Sequence, residues 1–326
     1  MKLGIVVNPM SGRDVRRVAA RASTVGHHEK AQQVTRLVLA AFAQGVEEIF
    51  LADEPFRISH RAVENLPERD KVTLLRFPLK HGAADTETMV DKMWEAGCRT
   101  FIVLGGDGTN RIVARRYPDA VVMPLSTGTN NVFPLFVEAS VAGAAAGLIA
   151  AGKLDYRDDC RRCKQVHITL ADGRTDLALI DAVLLRNDDL GSLMPFRAAQ
   201  LAGAMVARAE PASVGISPIA GYVMPSGHHD DFGVYFACGE SGSTVNIAIS
   251  PGLYDNVTIS EIEAVPDGDS RTVEGPGILA FDGDRTYELA EGETATLTVR
   301  RDGPWIIHPA EILNAAARKG LLHDMV

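Results

Sequence analysis

The chain has 326 residues, 46% hydrophobic and 23% charged, which is enough for about two globular domains with buried cores. Its net charge of −9 argues against nucleic acid or an anionic membrane as the main partner, because both require a basic surface. Four cysteines do not indicate a secreted disulfide scaffold, and the first residues predict a strand rather than a signal segment, so we expect a cytoplasmic protein without stable membrane association.

Apolar runs and helical patterns alternate through residues 1–152, which predicts a three-layer α/β domain with a mostly parallel sheet. The carboxyl ends of such strands meet at one edge, where a ligand is expected. The predicted strands are Lys2–Val7, Glu48–Ala52, residues 72–77, Thr100–Leu104 and Val121–Leu125. The predicted helices are residues 28–44, 57–65 and 83–96, a helix starting at Arg111, and residues 139–151.

A glycine-rich turn, residues 105–110, lies between a buried strand and a helix, an arrangement typical of phosphate binding. Its three glycines let the backbone approach a bulky anion, and the N–H groups at the helix start point at that anion. Asp107 repels phosphate at this position, so proton abstraction from a hydroxyl or metal binding is needed to explain it. The alternative is a tight connection in which Asp107 and Thr109 only cap the helix.

Two further polar turns, residues 8–12 and 126–131, follow other strands of the same predicted sheet. If the strands are neighbours, these turns face one crevice. The turns at residues 105–110 and 126–131 contain no lysine. The negative charge of a phosphate would therefore have to be balanced by backbone N–H groups, a helix dipole and a metal. The candidate nucleotide- and phosphate-binding residues are Asn8, Ser11, Gly105, Gly106, Gly108, Thr109, Asn110, Thr127, Gly128, Thr129, Asn130 and Asn131.

Short strand-like runs separated by turns predict an antiparallel β-sandwich over residues 153–304. A helix is predicted over residues 193–209 and a closing helix over residues 310–320, within a tail, 305–326, that we expect to pack against the first domain. The predicted strands are residues 164–170, 175–185, 233–238, 244–249 and 256–263, then Gly277–Phe281 and residues 294–299.

The sequence leaves more than one role open for several polar residues of the second half. Asp181 lies inside an apolar strand, so it either faces a cleft as an acceptor-binding residue or forms a structural ion pair. Asp282 either binds metal or substrate or simply belongs to a hairpin turn. Residues 228–231, His-His-Asp-Asp, could hold a metal, but their place after Pro-Ser-Gly favours a solvated loop.

The motif Gly-Gly-Asp-Gly-Thr at residues 105–109 resembles the hallmark of the superfamily of NAD kinases and diacylglycerol-type lipid kinases. Residues 8–12 and 124–133 resemble turns of the lipid-kinase branch, and residues 281–283 resemble an Asp-Gly element of both branches. Over most of the chain the likeness is to the acetoin-catabolism X-type proteins, an ATP-NAD-kinase-like family. The segments that carry it are residues 105–114, 125–134 and 275–303.

The resemblance implies an NAD kinase/diacylglycerol kinase-like α/β domain and a β-sandwich with the active site between them. It also implies transfer of a phosphoryl group from ATP, or alternatively polyphosphate, to a hydroxyl, with Mg²⁺ as cofactor and Asp107 as general base. The first candidate acceptor is the 2′-hydroxyl of NAD, with Asp181, Asp282 and Gly283 as acceptor-binding residues. This resemblance does not identify the metal ligands. Whether the protein forms a homo-oligomer stays open.

The sequence departs from the family pattern at the residues that would determine which acceptor binds. Ile180 and Asp181 stand where NAD kinases have Asn-Glu, so one acid remains and the amide is lost. Arg111 and Val132 stand where the lipid branch has Glu and Asp. Three hypotheses stay open: a kinase acting on NAD, a kinase acting on lipids or other alcohols, and a nucleotide-binding regulatory protein without turnover that is linked to acetoin catabolism.

Overall fold

The first half of the chain forms a parallel sheet. The computed structural model describes residues 1–12, 24–80, 82–127, 131–192 and 194–323. The strands are β1 (Lys2–Val7), β2 (Glu48–Ala52), β3 (Val72–Leu75), β4 (Thr100–Leu104) and β5 (Val121–Leu125), paired in the order β3-β2-β1-β4-β5. All of these pairs are parallel. The direction of winding reverses between β1 and β4, and open α/β sheets bind ligands in the crevice at such a point.

Helices cover both faces of this sheet, so its strands are buried on both sides and have nearly continuous apolar sequences. The helices are α1 (His27–Ala43), α2 (Ile58–Val63), α3 (Ala83–Glu95), α4 (Asp107–Arg116) and α5 (Ala139–Ala150). Leu3, Ile5 and Val7 of β1 pack in one core with α1 and α5, whereas Val6 packs in the other core with α3 and α4.

The helix predicted to start at Arg111 begins a turn earlier, at Asp107, with Gly106 as its N-cap. Because glycine is a poor helix former, the sequence pattern did not indicate that the glycine-containing first turn is helical. The turn is closed by the backbone N–H of Asn110, which donates to the carbonyl oxygen of Gly106 at 3.2 Å. Asp107 and Arg111 therefore lie one turn apart on the same face of α4.

The second half contains two antiparallel sheets that face each other across an apolar core, as predicted for a β-sandwich. The strands from the end of the first half are β6 (Arg161–Arg162), β7 (Gln165–Leu170), β8 (Thr175–Ala178), β9 (Asp181–Leu185), β10 (Leu201–Val206), β11 (Phe232–Ser250), β12 (Leu253–Pro266), β13 (Ser270–Glu274), β14 (Gly277–Phe281), β15 (Asp284–Leu289), β16 (Thr294–Arg300) and β17 (Trp305–Ile306). One sheet has the strand order β12-β11-β10-β9-β14-β15 and the other β13-β16-β7-β8. The remaining helices are α6 (Tyr156–Asp159), α7 (Ser217–Gly221) and α8 (Pro309–Arg318).

The helix predicted over residues 193–209 is wrong. This segment instead has a short 3₁₀ turn, Ala198–Gln200, followed by β10. β10 is a central strand between β9 and β11, and a Cβ at Gly203 would lie only 2.6 Å from the carbonyl oxygen of Phe236. Burial between two strands overrides the helical preference of an Ala- and Met-containing segment.

Two predicted strand boundaries in the sandwich are also wrong. The single strand expected over residues 175–185 divides into β8 and β9, which belong to different sheets. The break falls at Leu179 and Ile180, whose backbone N–H groups donate to the Asp282 carboxylate instead of a neighbouring strand. The two strands expected over residues 233–238 and 244–249 form one long strand, β11, whose pairing with β12 shifts register between Cys238 and Ser243.

The chain returns to the first sheet near its end. β17 pairs in parallel with β5, and β6 pairs antiparallel with β17 at the sheet edge. Ile312 and Ala316 of α8 are buried in the core that α1 and α5 share. The division of the chain at residue 152 stays a prediction. Of the described helices, none combines the length and the apolar character needed to cross a bilayer.

Candidate active site

A cavity of about 670 Å³ lies beyond the carboxyl ends of β1 and β4. These strands are neighbours, and so are β4 and β5, so all three polar turns are brought to one crevice. The volume is within the range of small-molecule and cofactor sites. Six of the predicted phosphate-site residues line it, namely Asn8, Ser11, Gly106, Gly108, Thr109 and Asn131.

Hydrogen bonds connect the three turns to one another. The amide nitrogen Nδ2 of Asn8 donates to Oγ1 of Thr109 at 2.8 Å, which ties the turn after β1 to the turn after β4. Oγ1 of Thr127 donates to Oγ of Ser11 at 2.9 Å, which ties the turn after β5 to the same network. The crevice is therefore a single connected site, although Thr127 supports it from behind and does not line the cavity.

Two glycines in the turn after β4 are required by close contacts. A Cβ at Gly105 would lie 2.7 Å from Cβ of Thr109, and a Cβ at Gly106 would lie 2.9 Å from Oδ1 of Asn131. Gly105 therefore packs behind the cavity and lets α4 start close to the strand. The free backbone N–H groups at the start of α4 then border the cavity, where they favour an anion.

Not every candidate phosphate-site residue reaches the cavity. Asn110 is only 2% exposed, and its Nδ2 donates to the carbonyl oxygen of Gly106 at 2.9 Å. It supports the first turn of α4 and is absent from the described cavity lining. Gly128, Thr129 and Asn130 lie outside the described residues.

The carboxylate of Asp107 lies where two cavities meet. It lines both the larger cavity and a second cavity of about 110 Å³. Burial, and then the neighbouring Asp282, raise the pKa of Asp107 to about 7, against the lowering effect of backbone N–H donors. Those donors are the N–H groups of Phe133, at 2.9 Å, and Val132, at 3.3 Å. A carboxylate with a pKa near neutrality suits a general base.

The second cavity is lined mostly by apolar residues, together with three carboxyl groups and Arg285. Asp181 and Asp282 join Asp107 there. Burial, followed by the charges of Asp282 and Asp107, raises the pKa of Asp181 well above its usual range. Of the two alternatives for Asp181, its position along this cavity supports the cleft-facing one. Gly283 lines the same cavity. Its apolar lining includes Val183, Leu185, Phe196, Ile216 and Ala280.

Of the two alternatives for Asp282, the hairpin turn is what the structure shows, whereas binding of metal or substrate stays a prediction for a residue that lines both cavities. Asp282 and Gly283 form the tip of the hairpin between β14 and β15, and both have positive φ, at 49° and 87°, as a type I′ turn requires. This turn directs the Asp282 carboxylate back toward the protein, where it accepts hydrogen bonds from the N–H groups of Leu179 and Ile180 at 3.0 and 2.8 Å. Burial nevertheless raises the pKa of Asp282, with Arg111 opposing this.

The buried carboxyl groups make stability depend on pH. The pKa of Asp107 is about 7 in the folded protein, against an ordinary 3.8. Its contribution to the free energy of unfolding is therefore fully present below about pH 4 and is lost as pH rises through about 7. Asp107→Asn, which carries no charge, is expected to be more stable than the unsubstituted protein at pH 8 by up to about 4 kcal/mol. Urea unfolding at pH 8 and pH 4.5 measures this difference, which should shrink at the lower pH. The exposed Asp158→Asn serves as control, and equal shifts for the two variants would contradict the prediction.

Arg111 is a site residue that the sequence analysis noted as a departure from the lipid-kinase pattern but did not assign to the site. Its Nη2 donates to Oδ2 of Asp284 at 2.8 Å and its Nη1 donates to the carbonyl oxygen of Phe281 at 3.2 Å. Its Nε lies 3.8 Å from Oδ2 of Asp282. Arg111 therefore joins α4 of the first half to the hairpin of the second. Arg111 and Arg115 also line the larger cavity and bring positive charge to it.

Lys30 is a second residue that was missed. It belongs to α1 and is fully buried, and its ammonium group donates to the carbonyl oxygens of Asn8, Pro9 and Ser11 at 2.9, 2.7 and 2.6 Å. These bonds fix the turn that lines the cavity. A signal was present, because Lys30 and Val34 lie one helical turn apart, which places the lysine on the buried stripe of α1.

Lys30→Met is expected to loosen the turn after β1. Methionine keeps the length of the side chain, but three carbonyl oxygens lose their charged donor, at a cost of about 1.5–3 kcal/mol for each strong bond. Nucleotide affinity, measured by calorimetry, should fall at least about tenfold, and urea unfolding should show lower stability. The exposed Lys71→Met is the matched control. Equal nucleotide affinity in the two variants would show that Lys30 does not organise the site.

Comparisons with known proteins agree with this geometry. Residues 3–154 match the family model of the ATP-NAD kinase N-terminal domain, and residues 164–302 match that of the acetoin catabolism protein X C-terminal domain. The chain is 30% identical over 338 residues to acetoin catabolism protein X of Cupriavidus necator strain H16, with 99% of this chain and 94% of that protein covered. The crystal structure of yeast NADH kinase complexed with NADH is similar in fold, with a TM-score of 0.55 and 12% identity over 100% of this chain and 89% of that one.

Proposed function

This chain belongs to the acetoin catabolism protein X family and has an NAD kinase-like fold, and from that premise we propose that it transfers a phosphoryl group to a hydroxyl. The observation that carries the proposal is the position of Asp107. Its carboxylate faces both cavities, and its pKa is raised to about 7. Such a group can take a proton from a hydroxyl in one cavity while a phosphoryl donor lies in the other.

The larger cavity is proposed to hold the donor nucleotide. Backbone N–H groups at the start of α4 and the guanidinium groups of Arg111 and Arg115 would meet the phosphates. Apolar side chains of the same cavity would pack against a nucleobase; they are Phe56, Phe77, Leu79 and Met89. Polyphosphate has no such base, so these side chains favour ATP as the donor.

The proposed reaction transfers one phosphoryl group. The acceptor hydroxyl enters from the second cavity, and Asp107 takes its proton. The acceptor oxygen forms a bond to the γ-phosphorus as the bond from that phosphorus to the β,γ-bridging oxygen breaks. The products are the phosphate ester, ADP and a proton held on Asp107, which is then released to water.

Mg²⁺ fits the residues of the larger cavity. This ion keeps phosphate oxygens and waters as ligands and needs only one or two carboxylates from the protein. Asp284 lines the cavity close to Gly108, and a Cβ at that glycine would lie 3.6 Å from its Oδ2. Because Oδ2 of Asp284 accepts a hydrogen bond from Arg111, Asp284 would hold the ion through its other carboxylate oxygen, and the ion would neutralise phosphate charge. The carboxylate of Asp282 is less suited, since it accepts several backbone hydrogen bonds.

The 2′-hydroxyl of NAD is the first candidate acceptor. Asp181, the acid that remains where NAD kinases have Asn-Glu, lines the second cavity beside Asp107. A smaller alcohol is the second candidate, because this cavity of about 110 Å³ is well below the roughly 300 Å³ of common ligand pockets. Its apolar walls suit a compact, weakly polar alcohol.

An acceptor screen tests the proposal. Purified protein is incubated with ATP, Mg²⁺ and, in separate reactions, NAD, a diacylglycerol-type lipid or a set of small alcohols that includes acetoin. ADP release and mass spectrometry of the products are measured against Asp107→Asn. NADP formation supports the first candidate, and a phosphorylated small alcohol supports the second. Nucleotide binding without turnover on any acceptor contradicts the proposal and favours a regulatory protein.

A further inference from the structure

Three side chains with metal-binding atoms meet outside the candidate active site. His228 and His229 lie in the loop between α7 and β11, and Glu311 lies in the first turn of α8. Nε2 of His228 is 3.0 Å from Oε1 of Glu311, and Nε2 of His229 is 3.2 Å from the same oxygen. The three atoms all lie within 4.8 Å of one another.

These distances match the spacing of ligands around a tetrahedral ion. With metal–ligand bonds of about 2.0–2.1 Å, two ligand atoms of a tetrahedron are about 3.3 Å apart. The two contacts to Glu311 already have nearly this length. A small movement of the imidazole rings would therefore open a central position without a change in the backbone.

The backbone of the loop is held in place by neighbouring arginines. Nη1 of Arg301 donates to the carbonyl oxygen of His228 at 3.1 Å, and Nη1 of Arg161 donates to that of His229 at 2.9 Å. The ring of His308 stacks on that of His228, with centroids 4.0 Å apart and planes at 23°. The two imidazoles are thus directed toward Glu311 by the fold, as a preorganised binding site requires.

We propose that His228, His229 and Glu311 bind a divalent transition metal of the zinc class. Imidazole nitrogen suits Zn²⁺, whereas Mg²⁺ and Ca²⁺ prefer sites made of oxygen ligands. The three side chains are 32%, 59% and 42% exposed, so water can supply the fourth ligand. Binding requires Nε2 of both imidazoles to be unprotonated, so a proton held there against Glu311 passes to solvent.

The ion would join two parts of the fold. The histidines belong to a loop of the second half, whereas Ile312 and Ala316 anchor α8 in the core of the first sheet. A shared ion would fix α8 against that loop and stabilise the folded chain in proportion to its occupancy. The described linings of the two cavities contain none of the three ligands, so this site is separate from the proposed phosphoryl transfer.

Zinc titration of the untagged, chelator-treated protein tests the inference. We expect one equivalent of Zn²⁺ to bind by calorimetry, to raise the thermal unfolding midpoint, and not to be displaced by a large excess of Mg²⁺. His229→Ala and Glu311→Gln change exposed side chains and should each weaken the affinity at least about tenfold. Bound Co²⁺ should show the strong visible absorption of a tetrahedral site in the unsubstituted protein only.

His60→Ala is the matched control, because His60 forms a surface pair with Glu64, with Nδ1 and Oε2 at 3.2 Å. This variant should bind Zn²⁺ as the unsubstituted protein does. The inference is overturned if Zn²⁺ does not bind, or if Glu311→Gln and His229→Ala bind it as tightly as His60→Ala does. Circular dichroism of the variants establishes that a lost affinity reflects lost ligands and not unfolding.

Discussion

Asp107→Asn is expected to lower kcat/KM for the best acceptor by about 1,000-fold, within the range of general-base contributions. The amide keeps the size of the carboxylate and can still accept the hydrogen bond from the N–H group of Phe133, which is 2.9 Å long. It cannot take a proton from the acceptor hydroxyl. Nucleotide affinity, measured by calorimetry, should change by less than about threefold, because the cradle at the start of α4 is preserved.

The pH profile provides an independent test of this role. With a pKa of about 7, Asp107 is increasingly protonated as pH falls, so kcat/KM should decrease about tenfold per pH unit below neutrality. The residual activity of Asp107→Asn should lack this limb. Asp85→Asn, which alters another carboxylate of the larger cavity, is the control and should retain the limb. An Asp107→Asn enzyme with more than about a tenth of the original kcat/KM would exclude general-base catalysis by this residue.

The parallel sheet was predictable because each strand is a short, continuous apolar run. Lys2–Val7, Glu48–Ala52, Thr100–Leu104 and Val121–Leu125 have the predicted bounds, since a strand buried on both faces leaves little room for polar residues before its turn. The family and the fold class were predicted as well, and both are confirmed. The polar turns of the candidate site followed from their places after those strands.

Helix propensity misled the sequence analysis at α4 and at β10. The glycines around Asp107 hide the first turn of α4, so the helical spacing that brings Arg111 and Arg115 to the cavity with Asp107 was not apparent. The opposite error occurred at β10, where apolar residues with good helix propensity form a central strand. In both places contacts distant in sequence decide the local structure, and one sequence alone does not reveal them.

Buried polar residues were the hardest to assign, because their role depends on which elements the fold brings together. Lys30 satisfies carbonyl oxygens about twenty residues earlier in the chain, and Asp282 satisfies N–H groups about a hundred residues earlier. Arg111 reaches a hairpin 173 positions later at Asp284. Sequence patterns mark such residues as unusual on an apolar face, but only the packing identifies their partners.

Arg111→Ala is expected to destabilise the protein by about 3–5 kcal/mol at pH 8, the cost of breaking a buried ion pair by removing one partner. The Arg111 side chain is 15% exposed and that of Asp282 is fully buried. Without the guanidinium group, Asp181 and Asp282 lose a cation that favours their charged forms. Arg111→Lys should be intermediate, because it keeps the charge but loses the planar fork that contacts Asp284 and Phe281.

Arg116→Ala is a matched control from the same helix. Arg116 also forms an ion pair, in which two of its nitrogens donate to the carboxylate of Asp91, but its side chain is 56% exposed, so its loss should cost less than about 1 kcal/mol. Urea unfolding at pH 8 and pH 5 compares the two. Arg111 lowers the pKa of Asp282, so removing Arg111 raises that pKa further, and the penalty is present at high pH and diminishes as the carboxyl groups become protonated. If both variants lose the same stability at both values of pH, the charged forms of Asp181 and Asp282 do not depend on Arg111.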